Sequence, residues 1–294
     1  MNIKKVVITT GIYLDKELRL LVSFDENDKP VDLINLDVTK IGEVYLATVE
    51  KVLNDVDGCI LKLDSNTKGY IENKKLIPDS YVTRHSDKKK VCQEDQFYVQ
   101  IYQDRKGIKP YSCNFIKQED YTENPTFIKY YLGNYCDSDT EVITDMPDIH
   151  EANPSFRYYI DDSLSLWNLY GLTKLLDNIC SRICHLKSGG NIVIEPTEAL
   201  TVIDVNSGKN YGKQKPFEVN VEALEAAFSE IRLRSISGII LIDLLKVSKA
   251  EEEKLIEVAN SLVDEDISRI TIHGFSNLGL LEVTRSKIFS TFTI

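Results

Sequence analysis

The sequence predicts a multidomain protein that joins an α/β layer to an all-β barrel, and three observations predict it. Residues 191–285 alternate apolar β-type runs with amphipathic helical stretches in the order β-β-α-β-α-β, a pattern that packs helices on a sheet. Residues 41–104 instead hold four or five short strand-like runs separated by frequent turns, the pattern of a small β-barrel. The length of 294 residues is enough for two or three domains, each with its own core.

Taken in order, residues 1–36 read as two or three strands. VVITT and LRLLVSF are β-branched or alternating runs parted by Tyr13-Leu14-Asp15-Lys16, and DENDKP at 25–30 is a turn. The barrel strands are EVYLATVEKV, GCILKLD, GYIE and QFYVQIYQ, with Asn54-Asp55, Ser65-Asn66 and DSYVTRHSDKKK between them. Residues 117–162 carry 11 acidic and three basic side chains, yet Tyr121, Phe127, Tyr130, Tyr131 and Tyr135 argue against disorder there. No structure is assigned to 136–154.

LSLWNLYGLTKLLDNICSRICHL then places Leu172, Leu175, Leu176, Ile179 and Ile183 at helical spacing, with Trp167 as a core residue at its start. A hairpin follows, strands 191–195 and 200–205 about a link at Pro196, and after it the polar excursion KNYGKQKP. The helix from about 217 puts Val221, Leu224, Phe228 and Ile231 on one face. It ends at RLRSISG, with two arginines in the last turn, where the helix dipole favours cations. Strand 239–245 comes next. Ser248 and Glu251 form a capping box for a helix to about 264. RITIHGF and LGLLEVTRSK close the order.

Composition narrows the function. No apolar run approaches the ~20 residues of a membrane span, and the N-terminal Val6-Val7-Ile8 is too short for the core of a signal peptide. Six cysteines without a secretory signal suggest reduced thiols in the cytoplasm, read as small core residues. The net charge of −11 argues against a surface-wide nucleic-acid footprint. The excess is uneven, however: residues 37–116 carry 13 basic and 12 acidic side chains. Lys88-Lys89-Lys90, Arg105-Lys106 and Lys109 form a local basic strip there. With Tyr70, Tyr98 and Tyr102 on neighbouring strands, it suits single-stranded nucleic acid; packed tyrosines beside a solvated lysine loop are an equally open reading.

The most informative stretches are IDVNSG, Ile203 to Gly208, and IILIDLL, Ile239 to Leu245. Each is an apolar β-type run with an aspartate at its end, costly to bury unless paired or bound to a cation. Asp204 and Asn206, two apart on a strand, share a face. Two carboxylates and an amide oxygen converging at strand ends make a hard-oxygen site suited to Mg²⁺ or Mn²⁺. Plain turn chemistry at Asp-x-Asn-Ser-Gly, with Asp243 as a helix cap, is the alternative.

LKSGGNIVIEPTEALTVIDVNSG, NVEALEAAFSEIRLRSISGIILIDLL and HGFSNLGLLEVTRSK resemble the catalytic core of the ribonuclease E/G family of bacterial endoribonucleases, and residues 41–72 more weakly resemble its OB-fold RNA-binding domain. The resemblance implies a split RNase H-like subdomain (1–36 and 125–185), an OB-fold barrel inserted at 37–116, a reduced remnant of the 5′-sensor region at 117–124 and a deoxyribonuclease-I-like catalytic subdomain at 186–294. It further implies Mg²⁺, with Mn²⁺ as a substitute, held by Asp204 and Asp243, while Asn206 places the scissile phosphate or its water. Lys109 and Arg269 would be basic groups near the RNA backbone, Arg269 also offsetting developing charge. Tyr70 and Ile60 match two base-clamping positions; Tyr70 can stack, whereas Ile60 offers only an apolar wall.

The departures are specific. The family's usual IDFIDM reads Ile242-Asp243-Leu244-Leu245-Lys246-Val247 here, so a second acid is replaced by Lys246. The arginine-threonine pair of the 5′-monophosphate sensor has no counterpart in 117–150, and the sequence ends at Ile294, before the family's zinc-linking Cys-Pro-x-Cys pair. The expectation is therefore a cytoplasmic, metal-dependent endoribonuclease hydrolysing single-stranded RNA in processing or decay, without a membrane partner. Neither a strong 5′-end requirement, nor structural zinc, nor a zinc-linked dimer is expected, but a monomer or weak dimer. An RNA-binding protein with weak or no nuclease activity is the alternative, suggested by Ile60, Lys246 and the net charge. A third reading is an interaction module docking through the acidic 117–162 region.

Overall fold

β-Branched alternation sets up the first sheet. In the computed structural model, which describes residues 3–86, 90–104, 108–121, 126–208, 215–264 and 266–292, β1 (Lys5–Tyr13) and β2 (Lys16–Phe24) pair antiparallel. Leu14 and Asp15 between them take positive φ, 49° and 61°, the hairpin geometry whose twist matches that of the strands. The DENDKP turn leads into β3 (Pro30–Asn35) and is closed by Asp25, whose Oδ1 accepts from the N–H groups of Asn27 and Lys29, both at 2.9 Å.

The chain divides into two compact units, one of residues 1–37, 137–287 and 291–294, the other of residues 38–136 and 288–290. The second unit is built on β4 (Val44–Leu53), β5 (Gly58–Lys62), β6 (Lys68–Glu72), β7 (Gln96–Gln103) and β8 (Tyr111–Ile116). They close into a barrel in the order β4-β5-β6-β8-β7, with β6 and β8 parallel and the other pairs antiparallel. This Greek-key order fits an OB-fold. Alternate residues fill the interior: Ala47, Val49, Cys59, Leu61, Ile71, Phe97, Val99, Ile101 and Cys113. The fifth strand lies beyond the 41–104 window, in YSCNFI, whose alternation is short and mixed with polar residues. Thr126 caps α1 (Phe127–Tyr135) by accepting from the Lys129 N–H, and Phe127 and Tyr131 of this helix pack against Phe289.

The first unit resumes with β9 (Glu141–Thr144), α2 (Pro147–Ala152) and β10 (Arg157–Tyr158), which complete a five-stranded sheet of order β10-β9-β1-β2-β3. The single predicted helix at 164–186 is broken into α3 (Leu166–Leu169) and α4 (Leu172–Cys180), followed by a strand, β11 (Ile183–His185). Gly171, in left-handed conformation at φ 60°, separates the two helices. Ile183, expected on the buried helix face, is instead 47% exposed and pairs with Val193. Trp167 is core, as expected: a Cβ added at Gly11 would sit 2.2 Å from its ring, so only glycine lets β1 approach it. The thiols divide: Cys59 and Cys113 are buried, and burial pushes their pKa up to about 11 and about 12, whereas Cys180, expected in the core, is exposed.

The remainder is a second sheet with two helices on one face. It comprises β12 (Asn191–Pro196), β13 (Leu200–Asn206), α5 (Pro216–Leu233), β14 (Gly238–Asp243), α6 (Lys249–Val263), β15 (Ile270–Phe275) and β16 (Leu281–Arg285). Its order is β11-β12-β13-β14-β16-β15. Ile192, Ile194, Ile203, Val205, Ile240, Ile242, Leu281 and Val283 point to the helices and form one core with Leu224, Phe228, Ile231 and Leu255. The Ser248–Glu251 capping box is present at α6.

The arginines at the end of α5, Arg232 in its last turn and Arg234 at its C-cap, are held by partners beyond the helix dipole. Arg232 makes a bidentate pair with Asp32 of β3, Nε to Oδ1 and Nη2 to Oδ2, both 2.8 Å, with both side chains buried. Ser23 Oγ donates to the same carboxylate at 3.0 Å. Arg234 donates to the carbonyls of Ser181 and Asn178 at the end of α4, so it meets a helix C-terminus, though not that of its own helix. Arg285 holds Asp266 in a second buried bidentate pair and donates to the Ile236 carbonyl.

Two outcomes follow for stability. Asp32→Ala strands a buried guanidinium and is expected to lower unfolding free energy by about 3–5 kcal/mol, measured by urea denaturation, with Asp32→Ala/Arg232→Met losing less. Burial raises the pKa of Asp145, against the hydrogen bond from Thr9 Oγ1 at 2.9 Å. A carboxyl with a raised folded pKa binds its proton more tightly folded than unfolded, so its ionisation costs stability as pH rises from the ordinary value of 3.8 through the folded value. Asp145→Asn should therefore raise Tm at pH 7, and the gain should shrink as the buffer is taken to acid.

Candidate metal centre and nucleic-acid interface

Strand register brings the two aspartates together. β13 and β14 run parallel with Asp204 directly beside Asp243, after Val202 beside Leu241, and side chains at one register position of a parallel pair stand on the same face, about 5 Å apart. Buried Ile203 and Ile242, level with each other one position earlier, face the helices, so alternation turns both carboxylates to the open face, where both are exposed. Asp243 ends its strand and does not cap α6; that role belongs to Ser248. Asn206 stands on the same face, two residues on, and its Nδ2 donates to Asp204 Oδ2 at 2.7 Å.

The backbone around this centre is held by residues the sequence reading passed over. Asn220, wholly buried on α5, clasps Leu245: its Nδ2 donates to the Leu245 carbonyl at 2.8 Å and its Oδ1 accepts the Leu245 N–H at 2.9 Å. This pins the chain as it leaves Asp243, and explains why the strand predicted to Leu245 ends two residues earlier. Glu222, half a turn further along α5, accepts from the N–H groups of Lys187 and Ser188 and anchors the LKSGG turn. A Cβ at Gly190 would sit 2.4 Å from the Asn206 carbonyl oxygen, and one at Gly208 2.3 Å from that of Gly189. Glycine is therefore what allows this turn to abut the end of β13. The signal for Asn220 was its place at i−4 of Leu224, on the apolar helix face, where a polar side chain needs a partner.

Arg269 is not brought to this centre. β15 is antiparallel to β16, which is antiparallel to β14, so Ile270 lies level with Arg285 and Gly238, while Phe275 lies level with Leu281 and Ile242. Arg269, exposed just before β15, therefore stands at the opposite end of the sheet from Asp243, about 20 Å away by strand rise. That register sets it apart from the carboxylates beside which a charge-offsetting role was expected. Lys246 and Lys249 are basic residues on the Asp243 side: both line the same cavity as Asp243.

The donor set fits a hard cation of modest demands. Among the described residues no group of three or more His, Cys, Asp or Glu side chains is gathered to hold a metal. Two carboxylates suffice for Mg²⁺, which keeps several waters and takes further oxygens from substrate phosphates.

In the barrel unit, Ile60 and Tyr70 are direct cross-strand partners on the outer face of β5 and β6. The outer part of the Tyr70 ring rests on Gly58, and its hydroxyl donates to the Val56 carbonyl at 3.4 Å. Lys109, exposed, precedes β8, whose Ser112 lies level with Tyr70. The three residues thus gather around β5, β6 and β8. Tyr98 and Tyr102 do not join them, because β8 lies between β6 and β7 and separates strands expected to be neighbours. Tyr98 is already stacked on Tyr121, centroids 4.7 Å apart, and the Lys75 ammonium lies 4.5 Å from the Tyr102 ring. Of the basic strip, Lys88, Lys89, Arg105 and Lys106 lie outside the described residues, as do 209–214 of the polar excursion and 122–124 of the expected sensor remnant.

The family model described as "Ribonuclease E/G family" matches residues 134–288, and the chain belongs to that family. It is 32% identical over 154 residues to "Ribonuclease G" of Haemophilus influenzae, covering 48% of this chain and 31% of that protein. It is 30% identical over 177 residues to "Putative ribonuclease E" of Buchnera aphidicola, covering 54% and 43%. With "Ribonuclease E/G-like protein, chloroplastic" of Arabidopsis thaliana it shares 34% identity over 140 residues, 45% of this chain and 14% of that one. The matched part thus spans less than half the length of these relatives.

The Asn220 clasp carries a direct test. Asn220→Ala leaves the Leu245 N–H and C=O without their partner and should cost about 1–3 kcal/mol; amide exchange at Leu245 should accelerate with it. Unchanged protection there would show the clasp to be dispensable.

Proposed function

We propose that this chain is a divalent-metal-dependent endoribonuclease that hydrolyses phosphodiester bonds of single-stranded RNA. The observation that carries the reading is the level pairing of Asp204 with Asp243 on an open sheet face, in a chain of the ribonuclease E/G family. Asp204 and Asp243 would hold Mg²⁺ or Mn²⁺. When bound, such an ion supplies a nucleophilic water at neutral pH and neutralises charge on the phosphate. Asn206 fixes the orientation of the Asp204 carboxylate through its 2.7 Å hydrogen bond, and its remaining amide donor and oxygen orient the phosphate or the water. The products would be a 5′-phosphate and a 3′-hydroxyl.

In this reading the barrel is an OB-fold of residues 37–116 that holds the RNA strand. Tyr70 and Ile60 would contact a base, and Lys109 the backbone. Residues 186–294 would be the deoxyribonuclease-I-like catalytic subdomain. Residues 1–36 and 125–185 would be its RNase H-like companion, and 117–124 a remnant of a sensor. Arg269, remote from the carboxylates, is assigned a backbone phosphate at the far end of the sheet.

Cleavage of an unstructured AU-rich RNA in Mg²⁺ tests the reading. Asp204→Asn and Asp243→Asn should each lower the rate by at least about a hundredfold, since even outer partners of a metal ligand matter by 10–100-fold, and EDTA should abolish cleavage. Equal rates in wild type and both variants would sink the assignment. RNA binding without metal-dependent cleavage at high enzyme concentration would favour the second reading, an RNA-binding protein, which Ile60 and Lys246 motivate.

A further inference from the structure

Beside Asp243 lies a cavity of about 470 Å³ with two walls. One wall is the segment from Asp243 to Lys249, the other the turn from Phe275 to Gly279. Both walls are fixed by the chain itself. The first is pinned at Leu245 by the Asn220 clasp and at Ser248 by the α6 capping box. The second is a tight loop organised by Ser276: its Oγ accepts from the N–H groups of Leu278 and Leu280, its N–H donates to the Leu280 carbonyl, and Gly279 turns the chain at φ 84°. A cavity bounded by two such segments is preformed, as binding sites usually are.

The lining is unlike a packing defect. Leu278, at the tip of the Ser276 turn, is 87% exposed, a large apolar side chain held in solvent by a fixed backbone. Phe275 adjoins it, half-buried against the core. Opposite stand two lysines. Lys249 pairs with Glu252 at 2.6 Å, whereas Lys246 makes no ion pair among the described residues and is exposed. An apolar wall, a cation and a metal-binding carboxylate on one cavity match the three parts of a nucleotide in a chain: base, backbone phosphate and the reacting phosphate beside it.

We propose that this cavity receives the nucleotide adjoining the scissile phosphate of a single-stranded RNA, with Lys246 on its backbone phosphate and Leu278 and Phe275 against its base. The site rests on the endoribonuclease reading for its orientation towards Asp243, and it gives Lys246 a binding role in place of the acid that usually stands there. Contact with an apolar wall predicts tolerance of base identity, because every base has a π-face.

The experiment uses the full chain and a 5′-fluorescein RNA decamer of mixed A and U carrying one 4-thiouridine. Anisotropy in Ca²⁺ gives Kd, steady-state cleavage in Mg²⁺ gives kcat and KM, and crosslinked peptides are mapped by mass spectrometry. Lys246→Ala should raise Kd and KM about tenfold, the weight of a charge-assisted hydrogen bond, with kcat changed less than about twofold. Lys246→Arg should restore most of the affinity, and Leu278→Ala should deplete crosslinks at 275–279. If wild type binds and crosslinks at 244–249 or 275–279 without cutting, the subsite stands and the catalytic reading falls. If wild type cuts but Lys246→Ala and Leu278→Ala leave Kd, KM and the crosslink map unchanged, the subsite falls and the catalytic reading stands. Absence of RNA binding by the wild type overturns both.

Discussion

The first unit depends on one buried ion pair. Asp32 on β3 and Arg232 in the last turn of α5 lie 200 positions apart and meet in two parallel 2.8 Å hydrogen bonds. Neither charge would be tolerated there alone. Through this pair the helix that covers the six-stranded sheet is tied to an edge strand of the five-stranded one, and Leu233, the next residue, enters the core of the five-stranded sheet. α5 therefore has a fixed position and rotation, and what it carries on its other turns, Glu222 and Asn220, reaches fixed backbone targets.

Those targets border the candidate centre. Glu222 anchors the LKSGG turn against the end of β13, and Asn220 clasps Leu245 just past the end of β14. The carboxylates themselves owe their proximity to register: β13 and β14 are parallel and level at Asp204 and Asp243, and a slip of one residue would send one of them into the core. The same antiparallel logic through β16 and β15 carries Arg269 away from the site and brings the Ser276 turn towards it. Positive charge beside Asp243 thus comes from Lys246, three residues further along the chain, and from Lys249.

In the barrel, topology also decides which side chains can act together. Ile60, Tyr70 and Ser112 lie level across three strands, with Lys109 just before the third. Tyr98 and Tyr102, equally plausible from spacing, are removed by the insertion of β8 and by their own partners, Tyr121 and Lys75.

Period and punctuation in the sequence determined the local elements. The β-type runs of 5–24 and 191–206, the amphipathic faces of α5 and α6 and the Ser248–Glu251 cap were legible because near-neighbour sterics, alternation and capping set them. The family motifs likewise marked Asp204, Asn206 and Asp243 as a group. Tertiary structure alone decided the breaks and the assignments between distant residues. Ile183 fits a helix by spacing, yet pairs with Val193 because β12 offers it a ladder. Arg232 reads as a dipole partner, yet is claimed by Asp32 because a buried guanidinium needs a carboxylate more than a helix end needs a cation. Arg269 reads as part of the centre, yet strand direction places it at the far end. Local chemistry acts within a few residues and is written in their order; register, strand direction and long-range charge pairing depend on which segments meet, and only the folded chain fixes that.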